Sequence, residues 1–481
     1  MKYQWRQFST WIIGALLCLA LSACGSSTRF DPGPAGAPTG LTAAAGNGQV
    51  ALSWSPATPN DALFDKYDVY YSTSPGVTTS TGTKFQTGVS GTSIIVTGLT
   101  NGVTYYFAVA AINAEYIESP LSNEVAATPA APNPFQQSDL QGTWYFNVLV
   151  NGTGAGWMHG IATIDAAGIV TVTSFLDNAG STTAPAGLFT TMTILPDGTV
   201  SQSGTTDFHG VLSNNQFRDM LVGTASTGGT SRMVVVLQKR VPGITYTASD
   251  IRGTGRFVAG PLPFVYHQLS SGIYHEWQYA TGQIGQDQGV TYLSLNSPTP
   301  TPLPGAGNKV VTLSITADGI VTETPIAGVV PQPTALITWG VMSADKMTIV
   351  GTATDSSGAL LIRIIQFVHP PSVVLTSSVY VMAHLVGTYG FHDFINGTSP
   401  LWANGDLTIE ASGTATYATY LDSSGSTVLP APQSLSLDQQ GILTESGNPS
   451  YNGQLSYFND MFVATRTDAP GVYSLSIDLK R

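Results

Sequence analysis

Leu140-Gln141-Gly142-Thr143-Trp144-Tyr145-Phe146 returns 245 positions later as Leu385-Val386-Gly387-Thr388-Tyr389-Gly390-Phe391. The same offset carries Asn151-Gly152-Thr153 onto Asn396-Gly397-Thr398, Trp157 onto Trp402, Gly160 onto Gly405, Asp177 onto Asp422 and Gly180 onto Gly425. It slips to 243 at Gly198 and Gly441, then to 241 at Asp219-Met220 and Asp460-Met461 and at Lys239-Arg240 and Lys480-Arg481, so the small deletions fall between elements. The middle third repeats the pattern more loosely. It opens with Ile251-Arg252-Gly253-Thr254-Gly255-Arg256-Phe257, matches Pro196-Asp197-Gly198-Thr199-Val200 with Ala317-Asp318-Gly319-Ile320-Val321, and matches Leu221-Val222-Gly223-Thr224-Ala225 with Ile349-Val350-Gly351-Thr352-Ala353. A fixed period marks tandem structural units. Three are expected, over residues 139–240, 250–368 and 384–481.

Within a unit the turn signals are closely spaced: Asn151-Gly152, Asp165-Ala166-Ala167-Gly168, Asp177-Asn178-Ala179-Gly180, Pro196-Asp197-Gly198, Ser213-Asn214-Asn215 and Gly228-Gly229. Such residues supply hairpin turns, so each unit reads as an antiparallel β-meander of about eight strands. Eight strands can close into a small barrel and lose their edges. The pattern also leaves open two-sheet sandwiches, or propeller blades. The Gly142-Thr143-Trp144 opening followed by a meander resembles lipocalin and avidin-type barrels, which implies a barrel able to carry a small apolar ligand. The other two copies have Gly255 and Tyr389 in place of the tryptophan.

Before the repeats, residues 38–129 show short period-two runs: Gln49 to Ser55, Tyr67 to Tyr71, Ser93 to Val96 and Tyr105 to Asn113. Alternation bounded by Gly, Pro, Asn and Ser predicts half-buried antiparallel strands at sandwich spacing. With Trp54 on the second run and the corner Leu99-Thr100-Asn101-Gly102-Val103-Thr104-Tyr105, this stretch resembles a fibronectin type III domain. The resemblance implies a buried Trp54 and a Tyr105 hydroxyl bonded back to the preceding turn. The fold class is thus all-β, a fibronectin type III sandwich followed by three repeated antiparallel, barrel-like units.

At the front, Lys2 and Arg6 precede the apolar run Trp11 to Ala20 and the small residues before Cys24, the grammar of a secretory signal over residues 1–23. Leu21-Ser22-Ala23-Cys24 resembles the bacterial lipobox, which implies cleavage before Cys24, a lipidated (diacylglyceryl and palmitate-type acyl) cysteine and a membrane anchor. Gly25 at the next position implies the outer membrane. Residues 24–37, with Pro32 and Pro34 among Gly, Ser and Thr, read as a flexible tether. From Cys24 onward the chain has 15 basic against 29 acidic side chains, a balance that disfavours nucleic acid as a partner. Cys18 leaves with the signal, so no disulfide is expected.

The sequence contains no His-Glu-x-x-His, Gly-x-Ser-x-Gly, phosphate-binding or Cys-x-x-Cys motif. His159, His209 and His392 align with Asn404, Asn452 and Asn147, which argues against imidazole chemistry, and the repeated acids Asp165, Asp177 and Asp219 read first as turn formers. No catalytic residue, metal or cofactor is expected. The candidate ligand site is His275, Trp277 and Tyr279 on one strand face of the middle unit, a platform for a sugar ring if exposed and core if buried. Trp54, Tyr105, Trp144, Trp157 and Trp402 are assigned structural roles. The expected function is a non-enzymatic envelope lipoprotein presenting a binding, adhesion or structural surface to a glycan or envelope protein. The alternatives are a polysaccharide-binding or polysaccharide-active protein and a carrier of small apolar ligands.

Overall fold

The computed structural model describes residues 36–46, 48–56, 66–90, 92–96, 98–112, 117–130, 134–204, 207–215, 217–227, 230–251, 261–271, 276–298, 303–329, 335–368, 380, 382–397, 399–456 and 459–481. The expected signal segment, Cys24, nearly all of the tether and His275 lie outside the described residues. Among the described residues no helix is long and apolar enough to cross a membrane. The chain divides into two compact units, residues 1–131 and 132–481.

The first unit is a sandwich. One sheet has the order β1-β2-β5, with β1 Thr39–Gly46, β2 Gln49–Ser55 and β5 Ser93–Val96. The other has the order β4-β3-β6-β7, with β3 Lys66–Ser72, β4 Thr83–Ser90, β6 Tyr105–Ile112 and β7 Val125–Ala127. Alternation on β2 sends Val50, Leu52 and Trp54 inward, where the Trp54 ring meets Tyr67 edge-on at 5.3 Å. Tyr105 turns the corner as its motif predicts: its hydroxyl accepts the Thr100 N–H at 3.1 Å. Asn101, in the same corner, uses its side-chain carbonyl to accept the Gly48 N–H at 2.8 Å, pinning the corner to the β1–β2 turn.

The second unit holds three eight-stranded meanders. The first comprises β8 Gly142–Asn151, β9 Gly156–Ile164, β10 Val170–Asp177, β11 Thr191–Ile194, β12 Thr199–Ser203, β13 Asp207–Leu212, β14 Met220–Thr227 and β15 Ser231–Lys239. The next comprises β16 Leu262–Ser271, β17 Trp277–Ile284, β18 Gly289–Asn296, β19 Lys309–Ile315, β20 Ile320–Pro325, β21 Trp339–Met342, β22 Thr348–Thr354 and β23 Leu360–Phe367. The last comprises β24 Gly387–Asn396, β25 Leu401–Ile409, β26 Thr414–Asp422, β27 Gln433–Leu437, β28 Ile442–Glu445, β29 Asn448–Leu455, β30 Met461–Ala469 and β31 Val472–Lys480. In each, the last strand pairs with the first, and the second and third are closed barrels. The first is an eight-stranded sheet whose free edges, β10 and β11, meet through the Ile169–Thr191 bridge and the bonds Val170 N–H to Thr190 O and Met192 N–H to Gly168 O, both 2.8 Å. Barrels, not sandwiches or propeller blades, are therefore what the repeat encodes.

A short helical turn caps two of the barrels: α1 Gln137–Leu140 and α2 Met382–Leu385. Trp144 fills the first barrel and donates its indole N–H to Leu140 O at 2.7 Å. Tyr389 does the same in the third, its hydroxyl donating to Leu385 O at 2.9 Å. The two side chains differ, but the bond that closes the barrel end is the same.

The middle copy corrects the sequence alignment. Its first strand lies further along the chain than Gly253-Thr254-Gly255: β16 pairs His267 with Ile364 as β8 pairs Asn147 with Val236, so Tyr266 and His267 are the counterparts of Phe146 and Asn147, and Phe264, not Gly255, takes the place of Trp144. The extra length includes residues 252–260 just before that strand, which lie outside the described residues.

The strands flanking each closure, β8 with β15, β16 with β23 and β24 with β31, are buried along almost their whole length. Their inner faces fill the barrels and their outer faces meet one another. A shared core results, with Leu149, Val222, Val234 and Val236 from the first barrel, Val265, Val350, Ile362 and Ile364 from the second, and Phe394, Val463, Leu475 and Ile477 from the third. Apolar residues on both faces of a strand require cover on both sides, and the three barrels provide it for one another.

Candidate functional site

Three seams radiate from the shared core, and each repeats the same bonds in cyclic order. Trp157 on the first barrel donates its indole N–H to Thr354 Oγ1 of the second at 2.7 Å. Trp277 of the second donates to Thr467 Oγ1 of the third at 2.8 Å, and Trp402 of the third to Ser226 Oγ of the first at 2.7 Å. Two residues on, His159 Nδ1 lies 3.2 Å from Thr352 Oγ1, and Asn404 Nδ2 donates to Thr224 Oγ1 at 3.4 Å. Tyr279 takes the corresponding place on β17, buried against the His267 ring at 5.2 Å. The His159 ring is stacked between Trp157 and Trp339, 5.0 Å from each.

The candidate site of the sequence therefore has a different place. Trp277 and Tyr279 are 2% and 8% exposed and face a neighbouring barrel. They form no exposed platform, because the outer face that alternation assigned them is covered. Trp157 and Trp402 occupy the same seam positions, whereas Trp144 alone of the three assigned tryptophans in this unit fills a barrel interior.

At one end of the shared axis the last residues of the first strands converge. Asn151 Nδ2 donates to Asn396 Oδ1 at 2.8 Å, Asn396 Nδ2 donates to Ser270 O, and Ser271 Oγ donates to Val150 O at 2.7 Å. The Asn-Gly-Thr sites thus place buried side chains between barrels, with the turn beginning at Gly152, whose φ is +92°.

At the opposite end the chain brings three carboxylates together, Asp219, Asp345 and Asp460. Asp165, Asp177 and Asp422 are turn formers, each accepting N–H groups two and four residues ahead. Asp219 is something else: it is fully buried, and its Oδ2 accepts the Ala344 N–H of the second barrel at 2.6 Å. Burial pushes the Asp345 carboxyl up to about 7, with Asp219 and Asp460 adding repulsion. Burial likewise raises Asp219, and Asp460 adds to it. Among the described residues no three His, Cys, Asp or Glu side chains are arranged to hold a metal ion.

These groups make stability depend on pH from both sides. Burial holds His159 down to about 4 and His267 and His392 to about 3, so the unfolded chain takes up protons first as pH falls below 6.5. Each histidine should then remove about 1.4 kcal/mol per pH unit until its folded value is reached. Asp345 acts oppositely. Its folded form keeps a proton that the unfolded carboxyl has lost, so its stabilisation is full below about 4 and gone once pH passes about 7. Urea unfolding at pH 4.5, 5.5 and 6.5 should show stability rising with pH because the three histidines outweigh the one carboxyl, and Asp345→Asn, which removes the opposing contribution, should make that rise steeper.

Barrel interiors differ from copy to copy. The first is apolar, packed by Trp144, Phe146, Phe175, Phe189 and their neighbours. The second buries Arg363, which donates through Nε and Nη2 to Gln268 Oε1 at 3.0 and 2.8 Å and through Nη1 to Glu323 Oε2 at 3.2 Å. Its guanidinium lies 4.8 Å from the Tyr266 ring centre. In the third, Arg466 donates through Nη2 to Asp393 at 3.0 Å and through Nε to Asp468 at 2.7 Å, and Ser476 donates to Asp478 at 2.6 Å. About 260 Å³ of free space, part of it open to solvent, lies beside them, lined by Phe391, Leu407, Tyr417, Leu435, Tyr451 and Phe462. Sequence reasoning missed this group. Its signal was available at the 245 and 241 offsets, where Asp393, Arg466 and Asp478 replace Val148, Ala225 and Leu237.

Comparison with known proteins bears on the first unit. Residues 36–128 match the Fibronectin type III domain, so this part of the chain is one. An amylopullulanase of Thermoanaerobacter thermohydrosulfuricus is 40% identical over 97 residues, 20% of this chain and 6% of that protein. A Kelch domain-containing protein of Saccharolobus solfataricus is 38% identical over 109 residues, 22% of this chain and 13% of that protein. The chain thus spans only a small part of the length of these relatives. A solved Fn3-like protein from Clostridium thermocellum is 26% identical, with 20% of this chain and 95% of that one covered and a TM-score of 0.17.

Proposed function

We propose that this is a lipid-anchored, non-enzymatic protein of the bacterial outer membrane, in which the fibronectin type III domain follows a tether and the three-barrel unit carries a binding or structural role. Supporting the role is one observation above the rest: each barrel spends one flank on the mutual seams, which repeat from copy to copy, while the interiors of the three barrels differ. Copies that share a shell and differ in their linings suit recognition better than a chemistry common to all three.

The anchor rests on Leu21-Ser22-Ala23-Cys24 and the apolar run before it. Expressed in a Gram-negative host with labelled palmitate, the protein should fractionate with the outer membrane and carry the label. Cys24→Ser should abolish labelling and shift more than nine-tenths of the protein out of the membrane fraction. An unlabelled wild-type protein, or a variant that stays membrane-bound, would refute the anchor.

A further inference from the structure

We propose that the interior of the third barrel is a binding site for a small primary amine, taken ammonium first toward Asp393, Ser476 and Asp478. The inference rests on the binding role proposed above and gives that role a ligand class.

The first barrel serves as an internal control. Its ladder pairs Val148 with Val235, Ala225 with Met233 and Phe146 with Leu237. At the same ladder positions the third barrel pairs Asp393 with Ser476, Arg466 with Ser474 and Phe391 with Asp478. Five apolar inward positions have become polar while the shell is unchanged. Burying such groups costs stability that a well-packed apolar interior does not incur, so the fold itself has no need of them.

The third barrel has also lost its plug. In the first, Leu188 and Phe189 precede Met192, whose N–H bonds to Gly168 O, and they fill the interior, with Phe189 edge-on to Phe146 at 5.2 Å. In the third, the strand is fixed by the equivalent bond from Leu435 N–H to Gly413 O at 2.9 Å, but the residues ahead of it are Ala431, Pro432 and Gln433. Earlier in that loop Val428 and Leu429 are 78% and 51% exposed. Phe391, the counterpart of Phe146, meets Tyr417 edge-on at 5.1 Å in place of a plug residue from that loop, and it lines the free space.

Charge and size select the ligand. Arg466 is shared by two carboxylates, Asp393 and Asp468, and Asp478 adds a third carboxyl, so acceptors outnumber the cation available to them. Ser474 is fully buried on the same strand face as Ser476 and Asp478, and its Oγ has no partner. A ligand bringing hydrogen-bond donors and one positive charge completes the set. The enclosed part of the space takes a group of about the size of one water, which admits –NH₃⁺ and excludes a trimethylammonium. Phe391, Tyr417 and Tyr451 line the same space and give an organic amine apolar surface beside its charge. Burial, with Asp393 adding, raises Asp478 well above the usual carboxylate range, so an arriving ammonium would displace its proton.

The test is calorimetric titration of the full-length, detergent-solubilised protein with benzylamine, benzyltrimethylammonium and benzoate. Benzylamine should bind with an affinity that rises between pH 6 and 8.5, and the other two should bind at least tenfold more weakly. Asp478→Asn should weaken benzylamine at least tenfold, whereas Asp345→Asn, at the far carboxylate cluster, should leave it unchanged. Comparable binding of benzoate or the quaternary amine, or an affinity indifferent to pH, overturns the proposal even if Asp478→Asn fails to fold. Absence of benzylamine binding to the folded wild type overturns it too, while leaving the broader binding role and the lipid anchor to their own tests.

Discussion

Truncating Trp402 to alanine should lower the unfolding free energy of the three-barrel unit by about 3–5 kcal/mol, the range for removing a buried tryptophan. Its ring is 1% exposed in the core shared by all three barrels, and its indole N–H would leave Ser226 Oγ without a donor. Because the seams are cyclic, Trp277→Ala should lose a comparable amount, and Trp157→Ala, at 9% exposure, somewhat less. The sharper expectation concerns which barrel suffers. Hydrogen exchange on Trp402→Ala should rise in β14 of the first barrel as well as β25 of the third, since the bond spans the two. Exchange confined to the third barrel would mean that the seams do not couple the copies. The measurement is urea unfolding followed by exchange under native conditions.

The second large effect lies inside the middle barrel. Arg363→Met should destabilise by about 3–5 kcal/mol, because Glu323 and Gln268 would stay buried with their main donor gone. Glu323 would retain only the Ile337 N–H, at 2.8 Å. Adding Glu323→Gln removes the stranded charge and recreates the neutral residue that the first barrel carries at this place, Gln202. The double variant should therefore recover at least half of the loss. If it is as unstable as the single one, the contribution of Arg363 is its packing on Tyr266 and not its ion pair.

Much of the architecture was legible because local chemistry states it. Trp54 and the Leu99–Tyr105 corner mark a sandwich by residue type and spacing, and Asp177-Asn178-Ala179-Gly180 marks a hairpin by the bonds an aspartate can make to the next turn. Barrel-like units were expected from strand number alone, while the choice between barrel, sandwich and propeller needed the structure, since the sequence of a meander does not say whether its last strand meets its first. The seams were written in the chain but read as interior. Val234 and Val236 on β15, and Ile362 and Ile364 on β23, put apolar side chains on the outer face of strands whose inner face is already mainly apolar, and on β31 Leu475 and Ile477 do so behind the inward Ser474, Ser476 and Asp478. That surplus is the mark of a covered outer face. Trp277 was grouped with His275 and Tyr279, and its place as core or platform left to its exposure, because the added length before β16 hid its equivalence to Trp157 and Trp402. Asp345 went unread because its loop, Ser343 to Thr348, aligns with Ser456 to Met461 only once both are seen to close with the same serine bonds.

The three seams close the ring within one polypeptide, and that has an evolutionary consequence. In a trimer of identical subunits every substitution appears three times at once, so a residue useful in one subunit must be tolerated in all. Here His159, His267 and Asn404 meet the equivalent threonines Thr352, Thr465 and Thr224 in different ways, and each barrel can change its lining while its neighbours preserve the assembly. Tandem duplication has released this molecule from enforced sameness, leaving two copies to hold the frame and one free to specialise.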